Sequence, residues 1–123
     1  MLLKESGGTS RRHPFDLEER TSRFGEAIIR LCKKMPRDPS NDRLASQPVG
    51  CGISLGANYC EANEGVSKKD FTYPISRSIK EAKETMFFLR MLATAEPSLA
   101  EEARVLYREA KELKLIFVSI YRK

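Results

Sequence analysis

The chain has 123 residues, 41% of them hydrophobic and 32% charged, which supplies apolar material for one core and leaves no room for a second domain. Lysine and arginine number 22 against 17 aspartates and glutamates, a net charge of +5 that favours an anionic partner such as nucleic acid. No apolar run approaches the ~20 residues that span a bilayer, and no secretory signal is recognisable. The single histidine, His13, excludes the usual zinc sites, a Glu-x-x-His di-iron bundle and a Ser-His-Asp triad.

Residues 1–13, with Gly7-Gly8-Thr9-Ser10 and Arg11-Arg12, have little to bury and read as a flexible leader. The bundle domain is expected over 14–123. A first helix starts around Pro14-Phe15-Asp16, with Asp16 and Glu19 spaced as a capping box. Phe24, Ile28, Leu31 and Met35 then share one face, and Glu19/Arg23 and Glu26/Arg30 are spaced for i,i+4 ion pairs. Pro36 and Pro39 end the helix. The second segment, roughly 43–62, has weak helix propensity because of Pro48, Gly50, Gly52 and Gly56. Gly52, Gly56 and Cys60 nevertheless recur every four residues, which predicts a helix, bent at Pro48, whose small-residue strip admits a close neighbour.

Ser67 and Asp70 open a third helix over about 67–95. Ile75, Ile79, Ala82, Met86, Leu89 and Ala93 step by four and three through it, and Pro74 kinks it locally. Ser98 and Glu101 suggest a third capping box, after which Leu99, Ala103, Leu106, Ala110, Leu113, Phe117 and Ile120 form an unbroken bundle seam. The fold class is therefore all-α, an antiparallel up-down-up-down four-helix bundle. Apolar residues also spread beyond one face at Met86-Phe87-Phe88-Leu89, Met91-Leu92 and Leu115-Ile116-Phe117-Val118, which predicts cover from another copy of the chain in a homo-oligomer.

The glycines of 52–62 lack the lysine and preceding strand of a phosphate-binding loop, so they read as packing residues. Asn58 and Glu61 read as a polar pair within the bundle. Glu61/Glu64 and Glu81/Glu84 are spaced i,i+3, but Arg77/Glu81 and Lys80/Glu84 are also spaced as ion pairs, so no metal or other cofactor is expected. Cys32, Cys51 and Cys60 form no CxxC pair, and no histidine stands ready to activate Cys60; a reducing cytoplasmic setting fits them. The Arg-x4-6-His motif of helical RNases of the HEPN type is also missing, because only Arg11 and Arg12 precede His13 and they stand too close. No catalytic residue is assigned. Candidate phosphate contacts are Lys68, Lys69, Arg77, Lys80 and Lys83 on the third helix, and Arg30, Lys33 and Lys34, with Arg37, at the end of the first.

Phe15-Asp16-Leu17, Ser54-x-Gly56-Ala57-Asn58-Tyr59-Cys60-Glu61-Ala62, Ser67-Lys68-Lys69-Asp70-Phe71 and Lys80-Glu81-Ala82-x-Glu84-Thr85 resemble the four-helix-bundle family encoded in intervening sequences of bacterial 23S ribosomal RNA genes. The resemblance covers roughly residues 14–123. That family is similar to the accessory variability protein of diversity-generating retroelements, a pentamer that binds nucleic acid and a reverse transcriptase. The resemblance thus implies a homo-oligomeric ring, a homopentamer with a basic surface, and carries over no catalytic residue; many family members are of unknown function. Two activities follow as expectations. One is non-enzymatic binding of structured RNA or DNA, or of an RNA–protein complex. The other is a scaffold that docks a protein such as a reverse transcriptase, with nucleic acid incidental.

Overall fold

Helix α1 (Pro14–Cys32) opens the part of the chain, residues 14–123, that the computed structural model describes. The leader and His13 lie outside those residues. Because α1 already begins at Pro14, Asp16 falls inside its first turn and not at the cap position. Phe24, Ile28, Leu31 and Met35 are all buried, as their spacing predicts.

Helix α2 (Pro39–Asn63) starts four residues earlier than expected. Pro36 and Pro39 act differently. Pro39 stands in the first turn, where its missing N–H costs nothing, and the Asp38 carboxylate accepts the amide of Asn41 at 2.7 Å. The helix runs through Pro48, which is buried. Ser67 caps α3 (Lys68–Ala95) by accepting the Asp70 amide at 3.0 Å, and α3 runs through the buried Pro74. The capping box expected at Ser98 and Glu101 does not form. A 3-10 turn over Pro97–Leu99 leads into α4 (Ala100–Tyr121), and the Ser98 hydroxyl donates backward to Glu96 at 2.5 Å.

Contacts between helices fix the direction of each neighbour. Gly52 and Gly56 of α2 meet Ile28 and Thr21 of α1. Leu55 and Cys51 of α2 meet Ser78 and Glu84 of α3. Lys34 and Arg20 of α1 reach Glu102 and Glu109 of α4. In every pair one number rises as the other falls, so adjacent helices are antiparallel, and α1 closes the bundle against α4. Phe24, Ile28, Leu55, Ile75, Leu89, Leu113 and Phe117 fill the centre, with the Tyr59 and Phe117 rings 5.8 Å apart. Burying each such side chain contributes about 1.5–3 kcal/mol of transfer free energy before entropy is counted.

The glycine strip of α2 has a direct packing role. A Cβ on Gly52 would lie 3.1 Å from Ile28 Cγ1, and one on Gly56 would lie 3.2 Å from the Thr21 side chain. Only the missing side chains let α1 approach so closely. The third member of the repeat, Cys60, is exposed. Among the described residues no helix is long and apolar enough to cross a membrane.

Candidate nucleic-acid interface

Residues 80, 83, 87 and 90 of α3 step by three, four and three, so Lys80, Lys83, Phe87 and Arg90 share one outer stripe. Tyr107 and Lys114 are seven apart on α4, and the antiparallel register brings them beside that stripe. Lys83, Met86, Phe87, Arg90, Tyr107 and Lys114 together line a shallow groove between α3 and α4. Phe87 is 55% exposed and meets Phe88 edge to face at 5.4 Å. Among the described residues, Lys83, Arg90 and Lys114 have no carboxylate within 4.0 Å, so their charges stand uncompensated around an open aromatic ring.

Other basic positions differ. Arg20 binds Glu109 through two bonds of 2.7 and 2.9 Å and reaches Glu112 at 2.5 Å, which raises its pKa, chiefly through the Glu109 hydrogen bond. Lys34 pairs with Glu102 at 2.6 Å. Arg37 pairs with Asp42 at 2.7 Å and, through that hydrogen bond, holds the carboxyl below its usual range.

The predicted phosphate contacts therefore do not form one surface. Arg30 and Lys33 are exposed at the C-terminal end of α1, where Lys34 and Arg37 are already paired. Lys68 and Lys69 lie at the opposite end of the bundle, and Lys69 borders a cleft with Glu61, Glu64 and Asp70, where acids outnumber it. Arg77 stands 5.7 Å over the Tyr73 ring. Lys80 is exposed one turn before Lys83, the only residue of the predicted set that lines the α3–α4 groove among the described residues. Arg90, Lys114, Phe87 and Tyr107 were not read from the sequence as site residues. The seven-residue steps 83/90 and 107/114 were the signal available for them.

Four expected pairings do not form among the described residues. Glu19 and Arg23 do pair at 2.9 Å, but neither Glu26/Arg30 nor Arg77/Glu81 nor Lys80/Glu84 closes within 4.0 Å among the described residues. Buried Asn58 donates to the Ser54 carbonyl of its own helix at 2.9 Å, while Glu61 faces the exposed cleft, so the two do not pair. Glu81 and Glu84 gather around Cys51 instead of joining Glu61 and Glu64. The three ligand atoms lie within 4.8 Å of one another, and the Cys51 thiol faces Glu84 Oε1 at 3.6 Å. Burial, followed by the two carboxylates, pushes the thiol up to about 12, and burial beside Glu84 raises Glu81. A thiol and two carboxylates are a donor set that could hold a divalent cation, but here the thiol donates to a carboxylate.

A family model described as 23S rRNA-intervening sequence protein matches residues 15–119. The chain is also similar to the crystal structure of a protein of unknown function from the S23 ribosomal protein family of Bacteroides thetaiotaomicron. The TM-score is 0.77 at 24% identity, over 87% of this chain and 99% of that one, which shows a shared fold. No curated protein matches the sequence.

Proposed function

Because the chain belongs to the 23S rRNA-intervening sequence protein family, we propose that it is a non-enzymatic bundle that binds structured RNA, or an RNA–protein complex, through its basic surface. The observation that carries this reading is the α3–α4 groove, where Lys83, Arg90 and Lys114 lack carboxylate partners among the described residues while the cations facing α4 from α1 have them. Three uncompensated cations repel one another, and a phosphate chain relieves that repulsion while releasing its own counterions.

The reading includes self-assembly, with five copies as the resemblance implies. Its support is the exposure of Val105, Leu115 and Tyr121, each about half open to solvent. In a ring, the basic stripe of each copy adds to one field. The absence of a spanning helix among the described residues and three free cysteines support a cytoplasmic setting.

A second reading, a scaffold that docks a partner such as a reverse transcriptase, is favoured by Val105 and Leu115 alone, which are apolar and exposed on α4. Native mass spectrometry of protein purified without nuclease separates the two. A closed ring with retained RNA, released on raising the salt, is the expected result. Binding that is indifferent to salt and survives Lys80→Glu with Lys83→Glu, but is lost with Leu115→Ser, would favour the scaffold.

A further inference from the structure

We propose that the α3–α4 groove takes an unpaired nucleotide, its base lying against the Phe87 ring while Lys83, Arg90 and Lys114 hold the flanking phosphates. This rests on the RNA-binding reading above and narrows it to single-stranded segments such as loops and ends. The ring is the first argument. More than half of Phe87 is exposed although it stands amid charged side chains, and it meets Phe88 edge to face. A base laid on it removes apolar surface from water and gains a stacking contact, and every base has a face to offer.

The cations are the second argument. Lys83 precedes Phe87 by four residues and Arg90 follows it by three, so the two stand about 10 Å apart along α3 with the ring between them. Lys114 approaches from α4, and Tyr107 adds a hydroxyl that can donate or accept. A paired duplex hides its base faces in the helical stack and presents phosphates and 2′-hydroxyls, which leaves the ring unused. Only an unpaired base uses both the ring and the charges. With one hydroxyl as its neutral polar group, the groove tolerates many sequences.

Fluorescence anisotropy on the full chain tests this with an oligouridine strand and a blunt RNA duplex of equal length at one salt concentration. The strand is expected to bind more tightly. Phe87→Ala should weaken the strand roughly tenfold or more, since a stacked base contributes about 1–3 kcal/mol. Phe87→Tyr should retain binding, and duplex affinity and native mass should not change. A preference for duplex with no effect of Phe87→Ala overturns the inference and leaves the RNA-binding reading intact. No binding to either RNA overturns both. A fall in native mass for Phe87→Ala assigns the ring to a contact between copies and overturns the inference.

Discussion

Helix α1 and the α3–α4 groove lie on different sides of one bundle and treat their side chains differently. Along α1, Ile28 and Thr21 press into the gaps left by Gly52 and Gly56, and Arg20 and Lys34 meet Glu109, Glu112 and Glu102. Each apolar surface has a counter-surface and each of those cations has an anion. In the groove, three cations have no carboxylate within 4.0 Å among the described residues, and Phe87 is more than half exposed. The difference teaches where to separate stability from binding. Substitutions along α1 should lower stability and spare RNA affinity, whereas substitutions in the groove should do the reverse.

The largest stability effect is expected at the α1–α2 seam, from two glycines two residues apart. A methyl group on Gly50 would meet nothing within 4 Å among the described residues, so Gly50→Ala should raise stability by about 0.5–1 kcal/mol through helix propensity. Gly52→Ala gains the same propensity but drives its Cβ to 3.1 Å from Ile28, which is fully buried and has little room to move. It should fall below Gly50→Ala by about 1–3 kcal/mol in urea unfolding. Equal stabilities would show that α1 can move away, and the seam would not be closed.

The ionic half of the comparison gives a smaller effect. Arg20→Ala removes two hydrogen bonds to Glu109 and one to Glu112, leaving Glu109 only partly solvated. A loss of about 1 kcal/mol is expected, because the pairs are partly screened by solvent. Lys83→Ala, which breaks no ion pair among the described residues, should leave the unfolding midpoint unchanged and reduce the salt slope of RNA binding by about one. If Arg20→Ala lowered RNA affinity as much as Lys83→Ala does, the division between the two sides would fail.

How much of this was legible in the sequence depended on what each element buries. The four-three seam of α4 places Ala103, Ala110, Leu113 and Phe117 in the core. In α3 the same rule finds Ile75, Ala82 and Leu89 but misses Ser78 and Thr85, which are also fully buried. Their hydroxyls are satisfied by the Leu55 and Glu81 carbonyls, so they can occupy core positions that a hydrophobic pattern leaves blank. The start of α2 was obscured because a proline stops one helix or begins another according to the residue before it, here the capping Asp38. Lys83 could be named from α3 alone. Lys114 joins it only through the register between helices, which pairwise packing decides.

The smallest expected effect lies on the other flank of α3, where the unpaired charges are acidic. Glu81 and Glu84 share the Cys51 site, and Glu81 is raised first by burial and then by Glu84, against the weaker pull of Lys80 and Arg77. A carboxyl whose pKa is higher in the folded chain favours folding below the unfolded carboxylate range, and that contribution is lost as pH rises through the raised value. At about pH 7, Glu81→Gln should therefore be more stable than the parent chain by a few tenths of a kcal/mol, a value reduced by solvent screening at this part-exposed site. The advantage should shrink as the pH falls toward about 4, because both side chains are then neutral. Thermal unfolding at the two pH values checks the sign. A parent chain more stable than Glu81→Gln at neutral pH would mean that a cation compensates the Cys51 site, and α3 would then carry uncompensated charge on its α4 side alone.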